Sequence, residues 1–236
     1  MKKMILVCML AVCGCVYAEG KKDVAAAIAR GVAFLRTQQE ADGHFSDPHM
    51  TALTALPLWA FVCGGEGRTE GAKKAAAFVL STQRPDGGFY VPKPGRGGSG
   101  LGNYNTSVCL SALFESGLAP MKAILAARTY IAGSQLTGDD TMAGGFGYDR
   151  ASRRRYADLS NTSYALDAMR RTEGAEDFRP KGETRADLNW EKALQFVTRL
   201  QETQGERAGG RTTSARRRRA RRRTAPGASR CAPTAR

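Results

Sequence analysis

Phe78-Val79-Leu80-Ser81-Thr82-Gln83-Arg84-Pro85-Asp86-Gly87-Gly88-Phe89 is the stretch on which the fold turns. An aromatic residue is followed five positions on by Gln, and the Gln by Asp, Gly and Phe three, four and six positions later. The same order occurs upstream as Phe34, Gln39, Asp42, Gly43 and Phe45. Downstream, Tyr130 and Gln135 keep the first spacing, and after a short insertion the chain reads Gly144-Gly145-Phe146-Gly147-Tyr148. Phe196 and Gln201 repeat the spacing a fourth time. Recurrence at this period marks an internal repeat. The aromatics are 44, 52 and 66 residues apart, so the variation belongs to loops.

Each aromatic–Gln segment lies on a helical pattern. Val24, Ile28, Val32 and Leu35 mark one face of the first, Ala72, Ala75, Ala76 and Val79 one face of the second, and Trp190, Ala193, Leu194 and Val197 one face of the fourth. Spacings of three and four residues are those of an amphipathic helix. A second helical run follows each glycine turn: Thr51 to Leu56, Asn105 to Leu113 and Asn161 to Met169. The triplets Asn105-Thr106-Ser107 and Asn161-Thr162-Ser163 match a glycosylation sequon, but their recurrence at one place in the unit points to helix N-capping. The unit is thus helix, Gly-aromatic turn, helix. The chain holds three such hairpins and the first helix of a fourth. Two longer loops, Val91 to Asn103 and Thr172 to Leu188, are places where function could gather.

These residues resemble the repeat of the squalene cyclase and prenyltransferase superfamily: a basic and a small residue, an aromatic, Gln, then Gly-x-aromatic. Arg30-Gly31, Phe34, Gln38 or Gln39, Gly43 and Phe45 match it, as do Lys74-Ala75, Phe78, Gln83, Gly87 and Phe89. Phe stands where the usual pattern ends in Trp. The resemblance covers about residues 22–210 and implies an all-α fold, an α/α toroid of helical hairpins around a central cavity, here an incomplete arc. The motif residues, with Tyr130, Gln135, Gly145 and Phe146, are expected to staple helices together and not to catalyse.

Residues 1–18 read as a secretory signal: Lys2-Lys3, an apolar run from Met4 to Val16 too short to span a bilayer, and Val16-Tyr17-Ala18 as a cleavage pattern. An alternative takes Val12 to Cys15 as a lipidation box, with the chain anchored at Cys15. Either way the protein is expected to be exported, with no transmembrane span in the mature chain. The repeat domain occupies 19–210. Beyond it, residues 211–236 hold ten Arg and no acid, so the net charge of +14 is a property of this tail, and the body carries 26 basic against 22 acidic residues. A near-neutral body gives no reason to expect nucleic acid as partner. The tail is either a shifted reading frame or a genuine polyanion-binding segment unable to bury a core. Outside the signal and tail only Cys63 and Cys109 remain. They are not a disulfide framework, although a bridge between them is possible.

The resemblance would imply a terpene cyclase or prenyltransferase. A cyclase protonates its alkene with Asp-x-Asp-Asp. Asp139-Asp140 is the only adjacent Asp pair, and the first Asp is missing. Prenyltransferases hold zinc. The only histidines, His44 and His49, flank Asp47, a weak candidate ligand set (His44, Asp47, His49) in one loop. Gly95 to Gly102 lacks the Lys-Ser/Thr ending of a phosphate loop, no hydrolase elbow occurs, and no thioester sequence is found. No cofactor is expected. Three functions remain open: a non-catalytic repeat protein that binds another protein or an apolar ligand, a truncated enzyme whose catalytic part lies beyond Gly210, and a polyanion binder acting through the tail.

Overall fold

A computed structural model describes residues 23–92, 100–150, 155–202 and 209–210. The signal, Cys15, the glycine-rich stretch 93–99 and the arginine tail lie outside them. The described residues are helical: α1 over 23–37, then α2 (Ala52–Cys63), α3 (Glu70–Ser81), α4 (Gly102–Ser116), α5 (Met121–Ala132), α6 (Leu159–Arg171), a 3-10 segment (Glu173–Phe178) and α7 (Trp190–Leu200). The only strands among them are Gln201–Glu202 and Gly209–Gly210, two residues each and paired antiparallel. No described helix is long and apolar enough to cross a membrane.

The helices sort into two rows. α2, α4 and α6, each beginning at a glycine turn, pack side by side in that order, while α3 lies against α2 and α5 against α4. α4 sits at the centre, and twelve of its fifteen residues are buried. The close helical pairs are therefore α2–α3 and α4–α5, each formed by the second helix of one repeat unit and the first helix of the next.

The Gln of the motif makes this junction. Gln39 donates from Nε2 to the carbonyls of Gly43 (3.1 Å) and Gly71 in α3 (2.9 Å). Gln83 does the same to Gly87 (3.1 Å) and Ala123 in α5 (2.9 Å). Gln135 donates to Gly144 (3.1 Å) and Asn189 (3.0 Å), the residue capping α7, and its Oε1 accepts from the Asn189 N–H at 2.8 Å. One side chain thus closes its own turn and holds the start of the next helix. The turn glycine has a left-handed φ in all three units: +97° at Gly43, +91° at Gly87 and +88° at Gly144. A Cβ on Gly43 would stand 2.5 Å from the Lys74 carbonyl, and at Gly87 and Gly144 the corresponding backbone is closer still. Only glycine fits both demands.

The third unit corrects the sequence alignment by one residue. Gly144, and not Gly145, matches Gly43 and Gly87. Gly145 corresponds to His44 and Gly88, the position on which the aromatic of the following helix rests. The Phe78 ring lies 5.3 Å from that of His44. A Cβ on Gly88 would meet Tyr130 at 2.8 Å, and one on Gly145 would meet Phe196 at 2.8 Å. The aromatics Phe45, Phe89 and Phe146 go into the core, at most 4% exposed. Their N–H groups donate to the hydroxyls of Thr54 (3.0 Å), Thr106 (2.9 Å) and Thr162 (3.0 Å).

Those threonines overturn the capping reading of the Asn-Thr-Ser triplets. Both triplets lie inside helices, with Asn105, Thr106, Ser107, Asn161 and Thr162 buried. The cap of α6 is Asp158, which accepts from the Asn161 N–H at 2.8 Å. Asn105 caps a neighbour instead: its Oδ1 accepts from the N–H of Ala52, the first residue of α2, at 3.0 Å. The start of α4 is satisfied in turn by the third turn, with Gly102 N–H on Asp149 Oδ1 (2.9 Å) and Asn103 N–H on the Tyr148 carbonyl (2.9 Å). Helix ends that would otherwise leave unpaired N–H groups are closed across units.

Three of the expected helical faces fare differently. Ala72, Ala75, Ala76 and Val79 are all buried in α3. In α1 only Val32 is buried, while Val24 and Ile28 are exposed. In α7 the buried residues are Ala193, Phe196 and Leu200, whereas Trp190 and Leu194 face solvent.

Candidate functional site

The two rows leave one face of α2, α4 and α6 turned away from α3 and α5. Thr54, Thr106 and Thr162 fix the register between the three helices, since each receives the equivalent Phe N–H. In that register Leu56, Trp59 and Cys63 of α2 align with Val108, Ser111 and Glu115 of α4 and with Tyr164, Asp167 and Arg171 of α6. Val108 and Ser111 are buried, while Leu56 and Tyr164 are 39% and 37% exposed. The α4 row is therefore the floor of this face, and α2 and α6 are its flanks.

Aromatic rings gather at the end where the helices begin. Tyr104 of α4 stands edge-on to Tyr164 at 5.3 Å, and the Tyr148 ring of the third turn is 6.4 Å away. Burial first, then the neighbouring Tyr164, Tyr148 and Cys109, raises the Tyr104 hydroxyl above its ordinary value, so it stays protonated near neutrality. At the opposite end the Arg171 guanidinium lies 5.1 Å over the Trp59 ring. It donates to Asp167 at 2.6 Å and pairs with Glu115 at 3.5 Å. The face thus offers π surface at one end and an ionic cluster of one arginine and two carboxylates at the other.

The residues singled out for chemistry do not converge. His44 Nδ1 bonds Asp42 Oδ1 at 2.5 Å while its ring stacks on Phe78. Asp47 accepts from the His49 N–H at 2.9 Å, closing a local turn. Among the described residues no group of three His, Cys, Asp or Glu side chains is placed to hold a metal. Asp140 accepts from Arg155 at 2.5 Å and from the Met142 N–H at 2.9 Å, and the arginine bond is the main cause of a carboxyl pKa below the ordinary value. Asp139 reaches Lys192 at 3.1 Å in open solvent. Asp140 is thus held ionised, the opposite of what an alkene-protonating acid needs. Cys63 and Cys109 are both free thiols. Cys109 behaves as the small buried hydrophobe expected, whereas Cys63 is exposed.

No family model matches this chain, and no curated protein matches it.

A groove over α5 leaves no local mark in the sequence, whereas the Thr172–Leu188 loop is one of the two that the sequence marks out. The groove, of about 800 Å³, runs over α5 between Pro85–Gly87 and residues 178–183, with Met121, Leu125 and Phe178 as its apolar lining and Lys122 and Glu183 among its polar groups. The Thr172–Leu188 loop is a packed element: Arg128 of α5, 2% exposed, donates to Glu176 Oε1 (2.7 Å), the Met169 carbonyl (2.7 Å), Thr172 Oγ1 (2.6 Å) and the Ala186 carbonyl (3.0 Å). Arg179 forks onto the same Glu176 at 2.6 and 2.8 Å.

Proposed function

We propose that the chain is an exported, non-catalytic repeat module of the α/α-toroid kind, which binds an apolar ligand on the face of α2, α4 and α6. The observation that carries this reading is the half-exposed Tyr104–Tyr148–Tyr164 cluster above the buried α4 floor. Aromatic edges and faces take apolar and unsaturated ligands without a charged anchor. The repeat staples support the toroid resemblance, and an arc of hairpins leaves such a face accessible. The lowered pKa of Asp140 and the dispersal of His44, Asp47 and His49 favour binding over turnover.

The test is a fluorescence titration on a Trp190→Phe background, so that Trp59 reports alone, with a C15 prenyl alcohol as probe. Saturable binding is expected, weakened about fivefold by Tyr104→Ala, in line with the ~1 kcal/mol of a lost aromatic contact. No saturable response up to the solubility limit sinks the proposal. Conversion of a prenyl diphosphate or polyprene by the purified chain sinks its non-catalytic part. The groove over α5 supports a second reading, protein binding, because Phe178 at its edge is 69% exposed. A prenyl alcohol response abolished by Phe178→Ser and not by Tyr104→Ala would place the apolar ligand in that groove and sink the assignment to the α2–α4–α6 face.

A further inference from the structure

Among the described residues, the buried side-chain oxygens that find no partner are Thr51 Oγ1, Asn103 Oδ1 and Asn161 Oδ1. Their residues are 0%, 1% and 1% exposed. All three stand at the starts of α2, α4 and α6, the end of the row where Tyr104, Tyr148 and Tyr164 gather. The two amides are fixed in orientation by their other arm. Asn103 donates from Nδ2 to the Gly147 carbonyl at 2.8 Å, and Asn161 donates from Nδ2 to Asp158 Oδ2 at 2.7 Å. Each Oδ1 is therefore a carbonyl acceptor that receives nothing, an arrangement that folded proteins rarely keep.

The threonine register shows what Asn161 lacks. Thr106 corresponds to Thr54 and to Thr162, so Asn161 takes the place of Asn105, and Tyr104 takes that of Ala52. At the first junction the Ala52 N–H donates to Asn105 Oδ1 at 3.0 Å. The equivalent bond, from the Tyr104 N–H to Asn161 Oδ1, is not made. Residues 146–148 run between the two helices there, bonded to Asn103 on one side and to Asp158 on the other. The Tyr104 N–H reaches only the Tyr148 carbonyl, at 3.4 Å, and that oxygen already accepts from the Asn103 N–H at 2.9 Å. The turn that brings Tyr148 into the aromatic cluster thus parts a donor from its acceptor. Tyr164 follows Asn161 by three residues and shares its helix face. Its ring, 37% exposed, stands edge-on to Tyr104, so the parted pair lies at the inner end of the tyrosine cluster.

A group that fits between this donor and this acceptor must itself both accept and donate. A hydroxyl does both. An ether oxygen cannot donate, and an ionised carboxylate would set a second acceptor against the Asn161 oxygen. We propose that the ligand of the tyrosine face is an alcohol, whose hydroxyl donates to Asn161 Oδ1 and accepts from the Tyr104 N–H while its apolar chain lies along the tyrosine rings. This assignment rests on the α2–α4–α6 face being a binding surface and adds the end group that the face selects. The bound hydroxyl restores between α4 and α6 the link that Asn105 makes directly between α2 and α4, and Tyr164 is the ring that moves to admit it.

The experiment is the Trp59 fluorescence titration of the full chain in the Trp190→Phe background, run with a C15 prenyl alcohol, its methyl ether and the corresponding carboxylate. The alcohol is expected to bind roughly five- to tenfold more tightly than the ether, the effect of one hydrogen-bonded end group, and the carboxylate to bind weakest. Asn161→Ala should bring the alcohol down to the affinity of the ether and leave the ether unchanged, with circular dichroism checking that the helices remain. If that variant does not fold, the side-chain amide resonance of Asn161 in the parent chain takes its place: the alcohol should shift it and the ether should not. Equal binding of alcohol and ether, both weakened by Tyr104→Ala, overturns the proposal and leaves the apolar face standing, with a bound water as the partner of Asn161. An alcohol preference that survives Asn161→Ala, or an amide resonance that the alcohol leaves unmoved, overturns it as well. If none of the three probes saturates, the face is not a binding surface and both readings fall.

Discussion

Replacing Glu176 by Gln isolates the most demanding electrostatic arrangement in the chain. The carboxylate is 4% exposed and receives Arg128, both arms of Arg179 and, at 3.2 Å, the Ala186 N–H. Burial alone would raise its pKa, but the hydrogen bonds from Arg179 and Arg128 outweigh it and bring the carboxyl from 4.5 down to about 2. A displacement of that size corresponds to about 3 kcal/mol in favour of the folded state. Breaking a buried pair by removing one partner costs a comparable ~3–5 kcal/mol. Because the folded value lies below the unfolded one, the contribution is complete above pH 4.5 and is lost as the pH falls toward about 2. Urea unfolding of wild type and Glu176→Gln should therefore differ by about 3 kcal/mol near neutrality and by roughly half that at about pH 3. In thermal melts the neutral difference is roughly 6–12 °C for a chain of this size. A gap under ~1 kcal/mol near neutrality, or one of the same size at both pH values, would refute the assignment of this network as a folded-state clamp.

Three further perturbations address the staples and the core. Gly144→Ala meets both a φ of +88° and the Lys192 backbone, and should cost ~3 kcal/mol or more, whereas Gly182→Ala, at φ +93° with nothing within 4 Å, should cost ~1 kcal/mol; denaturant midpoints of the pair separate close approach from backbone strain. Gln83→Leu removes both the Gly87 and Ala123 bonds and should cost ~1–3 kcal/mol in urea unfolding, with faster amide exchange in α5. Thr106→Val keeps the shape but leaves the buried Phe89 N–H without its acceptor, for a loss of ~1–3 kcal/mol measured the same way.

The repeat was legible because its staples are local: Gln and Gly lie four residues apart in the first two units, and a turn that needs φ near +90° leaves glycine as its mark. The one-residue error at Gly145 arose where an insertion separates Gln135 from its turn, so spacing no longer fixed which glycine carries the strain. The role of Asn105 is not legible locally, because capping rules look along the chain, while its Oδ1 serves a helix 53 residues earlier. The uncovered stripes on α1 and α7 have the same periodicity as the buried stripe on α3, and periodicity reports the face a helix can bury without saying whether a neighbour arrives. Pro57 inside α2 breaks the local rule for helices, yet Leu58 and Phe61 beyond it are fully buried, so packing overrides it. The tyrosine face escaped notice because Tyr104 and Tyr164 are 60 residues apart and meet only through the register of α4 and α6.

Arg128 shows how the array tolerates its longest insertion. Two residues before the motif aromatic, the chain has Val32, Ala76, Arg128 and Leu194. Ala76 packs directly against its surroundings at 2% exposure. At the equivalent place in α5, Arg128 meets the 3-10 segment and the loop that separate α6 from α7, and an apolar side chain there would leave the carbonyls of Met169 and Ala186 without this donor. The planar guanidinium reaches both carbonyls, Thr172 and Glu176 at once, so the polar backbone that an insertion brings into the interior is satisfied from one side chain. Glu176 then balances the charge, and Arg179 completes the carboxylate. The ionic cluster is thus what lets a 66-residue spacing coexist with spacings of 44 and 52 in one packed array. It follows that Arg128→Met with Glu176→Met, which removes the charges together, should recover less stability than burying a simple ion pair's apolar replacement does. The Met169 and Ala186 carbonyls would still lose their donor, and Arg179 would lose its carboxylate. Full recovery of wild-type stability in that double variant would show that charge compensation, and not backbone satisfaction, is the role of Arg128.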